Sequence, residues 1–231
     1  MTVSKKINVV CIVQARIGST RLYGKILKKI HGEYCALDYL VKRLKKSKNI
    51  SKIVIATSNK TRDNKIINAI KKYKINNFRG SESNVLNRYY KTALKYRADI
   101  IVRITSDCPF SDPYLIDFMI KKFLKGKFDF YSNISPRTFP KGLDVEIFKM
   151  KALKIANKKA VSQFDKEHVT PFIKKSNKFK KGNLLNKKNL SNIYITLDNL
   201  EDLKKIRFIA KKIKPKFFFK WQKIVNIYKK F

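Results

Sequence analysis

Cysteine, histidine and acidic residues are scarce in this chain. Three cysteines, Cys11, Cys35 and Cys108, and two histidines occur among 231 residues. An odd number of cysteines without metal-ligand spacing excludes a disulfide framework and a structural zinc site, and favours the cytoplasm. Long apolar runs are missing as well: no stretch reaches 18 uninterrupted apolar residues, so no membrane span is expected. The Thr-Val-Ser-Lys-Lys that follows Met1 leads into a strand pattern with no small-residue cleavage site, which argues against a secretory signal. No Gly/Ser-rich linker and no internal repeat divides the chain, and its length suits one large domain.

Sixteen acids stand against 55 Lys and Arg, a formal charge of +39, while 44% of residues are hydrophobic. That is too apolar for a disordered basic tail. The charge attracts phosphate in general, but lysine is spread along the whole chain together with abundant Ile, Asn, Phe and Tyr, as an A+T-rich coding bias would leave on any solvated surface. A nucleic-acid module would gather basic and aromatic residues on one face; no specific nucleic-acid partner is expected. Scarce residues are then the informative ones. Arginine persists under a bias toward lysine where a planar, bidentate donor is needed, and Arg16, Arg21, Arg79, Arg88, Arg103 and Arg137 lie in or beside chemically loaded segments. The acids cluster similarly: Asp107, Asp112 and Asp117; Asp144 with Glu146; Asp165 with Glu167; Asp198 with Glu201 and Asp202.

Periodicity gives an alternating order. Ile7 to Gln14 reads as a buried strand, Ala36 to Lys46 as a helix, Lys52 to Thr57 as a strand and Thr61 to Tyr73 as a helix. A short extended piece at Asn77 to Arg79, a helix from Ser83 to Tyr96 and a strand from Asp99 to Thr105 follow. Asp112 and Pro113 make a cap and first-turn proline for a helix over Tyr114 to Leu124. Beyond Phe128 to Ser132, Thr138 to Leu143 reads as a loop, as does the position of His31. Asp144 to Phe148 is expected as a strand, Met150 to Lys159 and Lys166 to Lys175 as helices, Ile193 to Asp198 as the last strand and Leu200 to Lys212 as a helix. Such alternation predicts an α/β fold, a mostly parallel sheet with helices on both faces, whose ligands gather at the carboxyl ends of the strands.

The first strand delivers Gln14 to Lys25 to that edge. Glycines allow close backbone approach, Ser19 and Thr20 offer hydroxyls, and Arg16, Arg21 and Lys25 offer cations, a set that suits a triphosphate. The segment is not a P-loop: five residues separate Gly18 from Gly24-Lys25, and Ile26 stands where a magnesium-binding hydroxyl belongs. Asp107 emerges at the same edge, where a carboxylate can hold Mg²⁺ against phosphate oxygens or simply form a turn before a proline. Asp198, ending its own predicted strand, is a second carboxylate for such a site.

Six ordered motifs, Ile12 to Leu27, Phe78 to Tyr90, Val102 to Pro109, Thr138 to Phe148, Glu167 to Pro171, and Thr196 to Asp198 with Glu201 to Leu203, resemble the spore coat polysaccharide biosynthesis protein F branch of the cytidylyltransferases. That branch is similar to CMP-Kdo synthetase and acylneuraminate cytidylyltransferase. The resemblance covers about residues 8 to 210 and implies a Rossmann-like GT-A nucleotidyltransferase fold, with a nucleotide-binding half over about 1–135 and an acceptor-binding half over about 136–231. It implies Mg²⁺-dependent transfer of CMP from CTP to an acidic sugar or sugar phosphate, with release of pyrophosphate. Ala15 would set backbone groups against the base; Arg16, Gly18, Ser19 and Lys25 would hold the phosphates, with Arg16, Lys25 and Asp107 catalytic. Asp107 and Asp198 match the metal-binding carboxylates, and Arg79, Gly80, Ser81 and Arg88 match the segment that helps form the nucleotide pocket. Asp144 and Glu146, two apart on the expected strand, resemble the sugar-recognising part, and His168 would line the acceptor pocket. Relatives imply a homodimer. Tyr23 departs from the proline usual before Gly24-Lys25, and Tyr194 from a basic residue common near the last strand. The aromatic, basic tail to Phe231 reads as a final packed element or dimer contact, with a membrane-surface helix as the alternative. Two other readings stay open, a GT-A glycosyltransferase using a nucleotide-sugar and transfer from a different nucleoside triphosphate. Asp107-Cys108-Pro109 does not supply the Asp-x-Asp pattern of the first.

Overall fold

β-Branched runs and capped amphipathic helices alternate as their periodicity dictates, and the computed structural model describes residues 6–213 and 217–231. In chain order the first half holds β1 (Val9–Gln14), β2 (Lys29–His31), β3 (Tyr34–Cys35), α1 (Ala36–Leu44), β4 (Lys52–Ser58), α2 (Asn64–Lys71), β5 (Asn76–Gly80), α3 (Val85–Lys95), β6 (Ile100–Thr105) and α4 (Pro113–Lys125). The second half holds β7 (Phe130–Ser132), β8 (Glu146–Lys149), α5 (Met150–Lys159), α6 (Gln163–His168), α7 (Pro171–Lys175), β9 (Lys181–Asn183), α8 (Leu200–Lys212) and α9 (Trp221–Tyr228).

Seven strands form one sheet in the order β5-β4-β1-β6-β8-β7-β9, and β2 pairs only with β3. β5, β4, β1 and β6 run parallel, whereas β8 is antiparallel to both β6 and β7. The chain leaves β1 toward β4 on one side and later returns to add β6 on the other, so the carboxyl end of β1 is the switch point where a crevice opens. Alternation along β1 feeds two cores: Val9, Cys11 and Val13 join one face, and Val10 and Ile12 the other. Local chemistry sets the helix starts that flank the crevice. Asp112 caps α4 by accepting from the Tyr114 and Leu115 N–H groups at 2.8 and 3.0 Å, and Asn84 caps α3 through the Asn87 N–H at 2.9 Å.

Four expectations need correction. Ile193 to Asp198 is extended but is no ladder strand: its partner is the loop at Lys141, and a single bridge joins Lys141 to Tyr194. The alternating Ile193, Ile195 and Leu197 are buried as a strand's inner face would be, yet the facing loop has no strand geometry to continue the pairing. Gly142, at φ +109°, makes that contact possible, since a Cβ there would lie 2.8 Å from the Ile195 backbone. Lys166 to Lys175 is two short helices, because Val169 takes φ +71° and ends α6. Asp144 precedes β8, so it does not share a strand face with Glu146. His31 lies in β2, its Nδ1 3.1 Å from the Tyr39 hydroxyl. The strands β3 and β9 had no recognisable pattern at two and three residues.

The tail is a packed element. Ile224 and Val225 of α9 are buried in the core, and Trp221 meets Phe139 edge to face with ring centres 5.6 Å apart. Its anchor is Arg43 of α1, fully buried, which donates to the carbonyls of Ser111, Phe217 and Phe219 at 2.9 to 3.2 Å and stacks on the Phe219 ring. Burial pulls the Arg43 pKa down to about 10 against the opposing charge of Asp112, whose Oδ2 accepts the Trp221 N–H. No helix among the described residues is long and apolar enough to cross a membrane. Replacing Arg43 with methionine leaves three carbonyls without their donor and the buried Asp112 carboxylate without its neighbouring charge. The expected loss is about 3 kcal/mol, read as a lower urea midpoint at unchanged m-value.

Candidate active site

The loop after β1 is shaped by its own turns and by one acid. Within it, Ile17 accepts from the Ser19 and Gly24 N–H groups at 2.7 and 3.0 Å, which folds residues 17–24 back on themselves. Ile17 and Ile26 are buried beneath. Tyr23 points to solvent, and the Gly24 bond survives without the proline usual at that position. Asp63, fully buried, ties this loop to the end of β4: it accepts from the Ile17 N–H at 2.8 Å, the Thr57 hydroxyl at 3.0 Å, and both the N–H and hydroxyl of Ser58. Burial alone would raise the Asp63 pKa, but these donors outweigh it and hold the group below the ordinary carboxylate range.

Over this loop opens a cleft of about 210 Å³. Lys25 crosses its floor and places Nζ 3.3 Å from Asp107 Oδ2 and 2.8 Å from Asp198 Oδ1. Arg21 reaches the same Asp198 oxygen at 3.0 Å. Burial pushes Asp198 up; the Lys25 hydrogen bond and the charges of Lys25, Arg21 and Lys141 more than reverse this and leave its pKa lowered. Lys141 lies 5.3 Å from the Tyr194 ring centre, so a cation stands beside the position where Tyr194 replaces one. Two carboxylates sharing one ammonium are a donor set that also fits a divalent cation completed by phosphate oxygens and water.

The walls differ in character. Arg16 comes from the loop, and its NH2 is 3.7 Å from Glu167 at the end of α6. Arg88 of α3 is almost wholly buried, donates to the Ser81 carbonyl at 2.5 Å, and has its Nε buried with no partner among the described residues. His168 faces the cleft with its ring 4.5 Å from that of Phe164. The Val169 backbone that follows has φ +71° and ψ −51°, and the Thr170 N–H closes on the His168 carbonyl at 2.8 Å. This is a γ-turn, strained for a β-branched residue.

Ala15, Arg16, Ser19, Lys25, Arg88, Asp107, His168 and Asp198 thus line one cleft. Gly18 lies in the loop but faces the Arg62 guanidinium. Arg79 donates to the Ser58 and Lys60 carbonyls, bracing the turn after β4; Gly80 accepts from the Asn59 N–H, and Ser81 holds Arg88. These three shape the wall from behind. Asp144 and Glu146 do not reach the cleft. Asp144 is paired with Arg137 through two bonds of 2.7 Å, and Glu146 is buried between Arg103 and Lys174. Gln14, Glu167 and Asp63 were missed as site residues: Gln14 ends β1 and Glu167 neighbours His168, both inside recognised motifs, while Asp63 lies outside every motif and every acid cluster.

A family model described as Cytidylyltransferase matches residues 10–214. An uncharacterised protein of Methanocaldococcus jannaschii is 40% identical over 199 residues, 85% of this chain and 80% of that protein. Spore coat polysaccharide biosynthesis protein SpsF of Bacillus subtilis is 36% identical over 172 residues, 72% of this chain and 70% of that protein. Among solved structures, a cytidylyltransferase from Leptospira borgpetersenii superposes with a TM-score of 0.92 at 33% identity, covering 97% of this chain and 95% of the other. CMP:2-keto-3-deoxy-manno-octonic acid synthetase complexed with CTP shares the fold, with a TM-score of 0.66 at 14% identity over 89% of this chain and 100% of that one.

The Asp63 anchor sets a pH dependence. A carboxylate whose pKa is lowered on folding stabilises the protein above its unfolded value, near 4, and loses that contribution as pH falls through the lowered value. Asp63→Asn is expected to cost about 2 kcal/mol at neutral pH. Urea titrations at stepped pH should show the gap between wild type and variant closing below about pH 4.

Proposed function

The chain belongs to the cytidylyltransferase family, and from that premise we propose that it transfers CMP from CTP to an acidic sugar or sugar phosphate. The transfer would be Mg²⁺-dependent, release pyrophosphate and serve surface polysaccharide synthesis. The observation that carries this is the Lys25 ammonium shared by Asp107 and Asp198 at the mouth of the loop. The name of the Bacillus subtilis relative supports the polysaccharide setting.

In such a transfer an acceptor oxygen bonds to the α-phosphorus and the bond to the β-phosphate oxygen breaks, so negative charge grows on the α-phosphoryl oxygens and the departing pyrophosphate. Lys25, Arg16 and Arg21 lie where they neutralise that charge, and the Ser19 hydroxyl adds a neutral donor. Arg88, tied to the Ser81 carbonyl, would add positive charge to the wall beside the nucleotide. Asp107 and Asp198 would hold Mg²⁺, which when bound supplies charge neutralisation at the phosphates and can lower the pKa of an acceptor hydroxyl. Lys25 leaves the carboxylates for the phosphates as the nucleotide enters, exchanging one pair of anions for another. No protein nucleophile is needed, because the acceptor oxygen itself attacks.

Thermal shifts with each of the four ribonucleoside triphosphates and Mg²⁺, in about 0.3 M salt to screen non-specific attraction, should single out CTP. With a panel of acidic sugars and sugar phosphates, Asp107→Asn should lower pyrophosphate release by about 100-fold or more while its circular dichroism stays native. Turnover retained in that variant would remove Asp107 from the mechanism. Lys25→Met should weaken the CTP shift yet bind Mn²⁺ more tightly than wild type when no nucleotide is present, as read by electron paramagnetic resonance. Unchanged Mn²⁺ affinity would count against the shared-cation arrangement.

A further inference from the structure

Beneath the cleft runs a line of buried polar groups that phosphate chemistry does not use. Gln14, the last residue of β1, faces the cleft, and its Oε1 accepts from Arg103 NH2 at 3.0 Å. Arg103 sits on the adjacent β6, directly opposite Glu146 on β8, and its NH1 donates to Glu146 Oε2 at 2.5 Å. Glu146 is 1% exposed, and its Oε1 also accepts from the Thr170 hydroxyl at 2.8 Å and pairs with Lys174 at 2.7 Å. Three neighbouring strands and α7 therefore contribute to a single chain of contacts that ends in the cleft.

Stability does not account for this arrangement. A buried ion pair rarely does better than apolar side chains of the same volume, and Arg103 Nε is buried with no partner among the described residues. What the pair does accomplish is orientation. A guanidinium has donors only, so it can meet only the oxygen end of the Gln14 amide, and the NH2 end is turned the other way. Without Arg103, either end of the amide could face the cleft. The surroundings indicate what the amide meets. Ala15, which follows Gln14, and Thr105, its register partner on β6, are uncharged and line the cleft beside it. One oriented donor among uncharged neighbours suits the uncharged part of a nucleotide.

We propose that Gln14 donates a hydrogen bond to the nucleoside half of the bound nucleotide, and that the buried Arg103–Glu146 pair is a positioning element that fixes the amide for this contact. The inference rests on the nucleotidyl-transfer reading. It also gives Glu146 a role in place of direct sugar contact. The same carboxylate holds Thr170, next to the Val169 turn that presents His168, so one buried group braces two sides of the cleft.

The test is calorimetric titration in about 0.3 M salt with two probes, CTP and inorganic tripolyphosphate, the second lacking a nucleoside. Gln14→Ala is expected to weaken CTP binding about tenfold while leaving tripolyphosphate within about twofold. Gln14→Glu keeps an oxygen for Arg103 but offers no donor, and should lose CTP affinity equally. Arg103→Lys keeps the charge beside Glu146 without the fork that reaches Gln14; it should cause a smaller, CTP-specific loss, and the double variant with Gln14→Ala should bind no worse than Gln14→Ala alone. Unchanged CTP affinity in Gln14→Ala would overturn the contact, as would equal losses for both probes. Additive losses in the double variant would overturn the positioning role. A wild-type protein that binds tripolyphosphate but gains nothing from the nucleoside of CTP would overturn the nucleotide reading and this inference with it.

Discussion

The ammonium of Lys25 shared by two carboxylates is the contact on which the arrangement of this molecule turns. Its partners lie 82 and 173 residues further along the chain, and like charges brought so close repel unless a cation stands between them. The fold meets that requirement from three directions. β1 ends beneath the loop that carries Lys25, β6 ends just before Asp107, and the extended Ile193–Asp198 segment is held by the backbone bond from Leu197 to the Asp107 carbonyl at 2.8 Å. Gly142 permits the close approach that seats this segment. The cleft is thus held by an internal salt link of Lys25 with Asp107 and Asp198.

Around that link the electrostatics are more balanced than the overall charge suggests. The chain carries +39, yet three cations lining the cleft have specific counterparts: Lys25 and Arg21 meet Asp198, and Arg16 meets Glu167. Surface lysines are solvated and screened within about 10 Å at ordinary salt; they raise the general attraction for anions without selecting among them. Selection depends on the few arginines and acids whose geometry is fixed by burial. Arg43 and Arg103 illustrate this, since each is held by more than one protein contact rather than left in water.

Much of this was legible in the linear order of residues. Strand and helix periods predicted the alternation through α4, and Asp112-Pro113 and the Ser83 to Tyr96 window placed two helix starts that border the crevice. The loop from Gln14 to Lys25 and the acid at 107 were recognisable as ligand chemistry because their residue types are costly to keep in a chain so biased toward lysine. Illegible features were those whose partner is distant or whose pattern is too short. β3 and β9 have too few residues to show alternation, Ile193 to Asp198 alternates like a strand but has a loop for a neighbour, and the Val169 turn divides a helical pattern because tertiary packing overrides local preference. Glu146, which the resemblance implied as a sugar-recognising residue, is enclosed by Arg103, Thr170 and Lys174, partners that no local pattern announces.

By itself the sequence determined the class of fold and marked, after its first strand, a loop whose residue types suit phosphate. These follow from local properties: hydrophobic period, capping chemistry, and donors concentrated in a glycine-containing loop. Only the tertiary structure decided which charges meet. Lys25 joins Asp107 and Asp198, Asp63 anchors the loop, Asp144 pairs with Arg137 and Glu146 with Arg103 and Lys174, and Gln14 meets an arginine one strand over. The reason is physical: strand order and register bring together groups separated by tens to hundreds of residues, and a Coulombic or hydrogen-bonded contact depends on distances that no local pattern specifies.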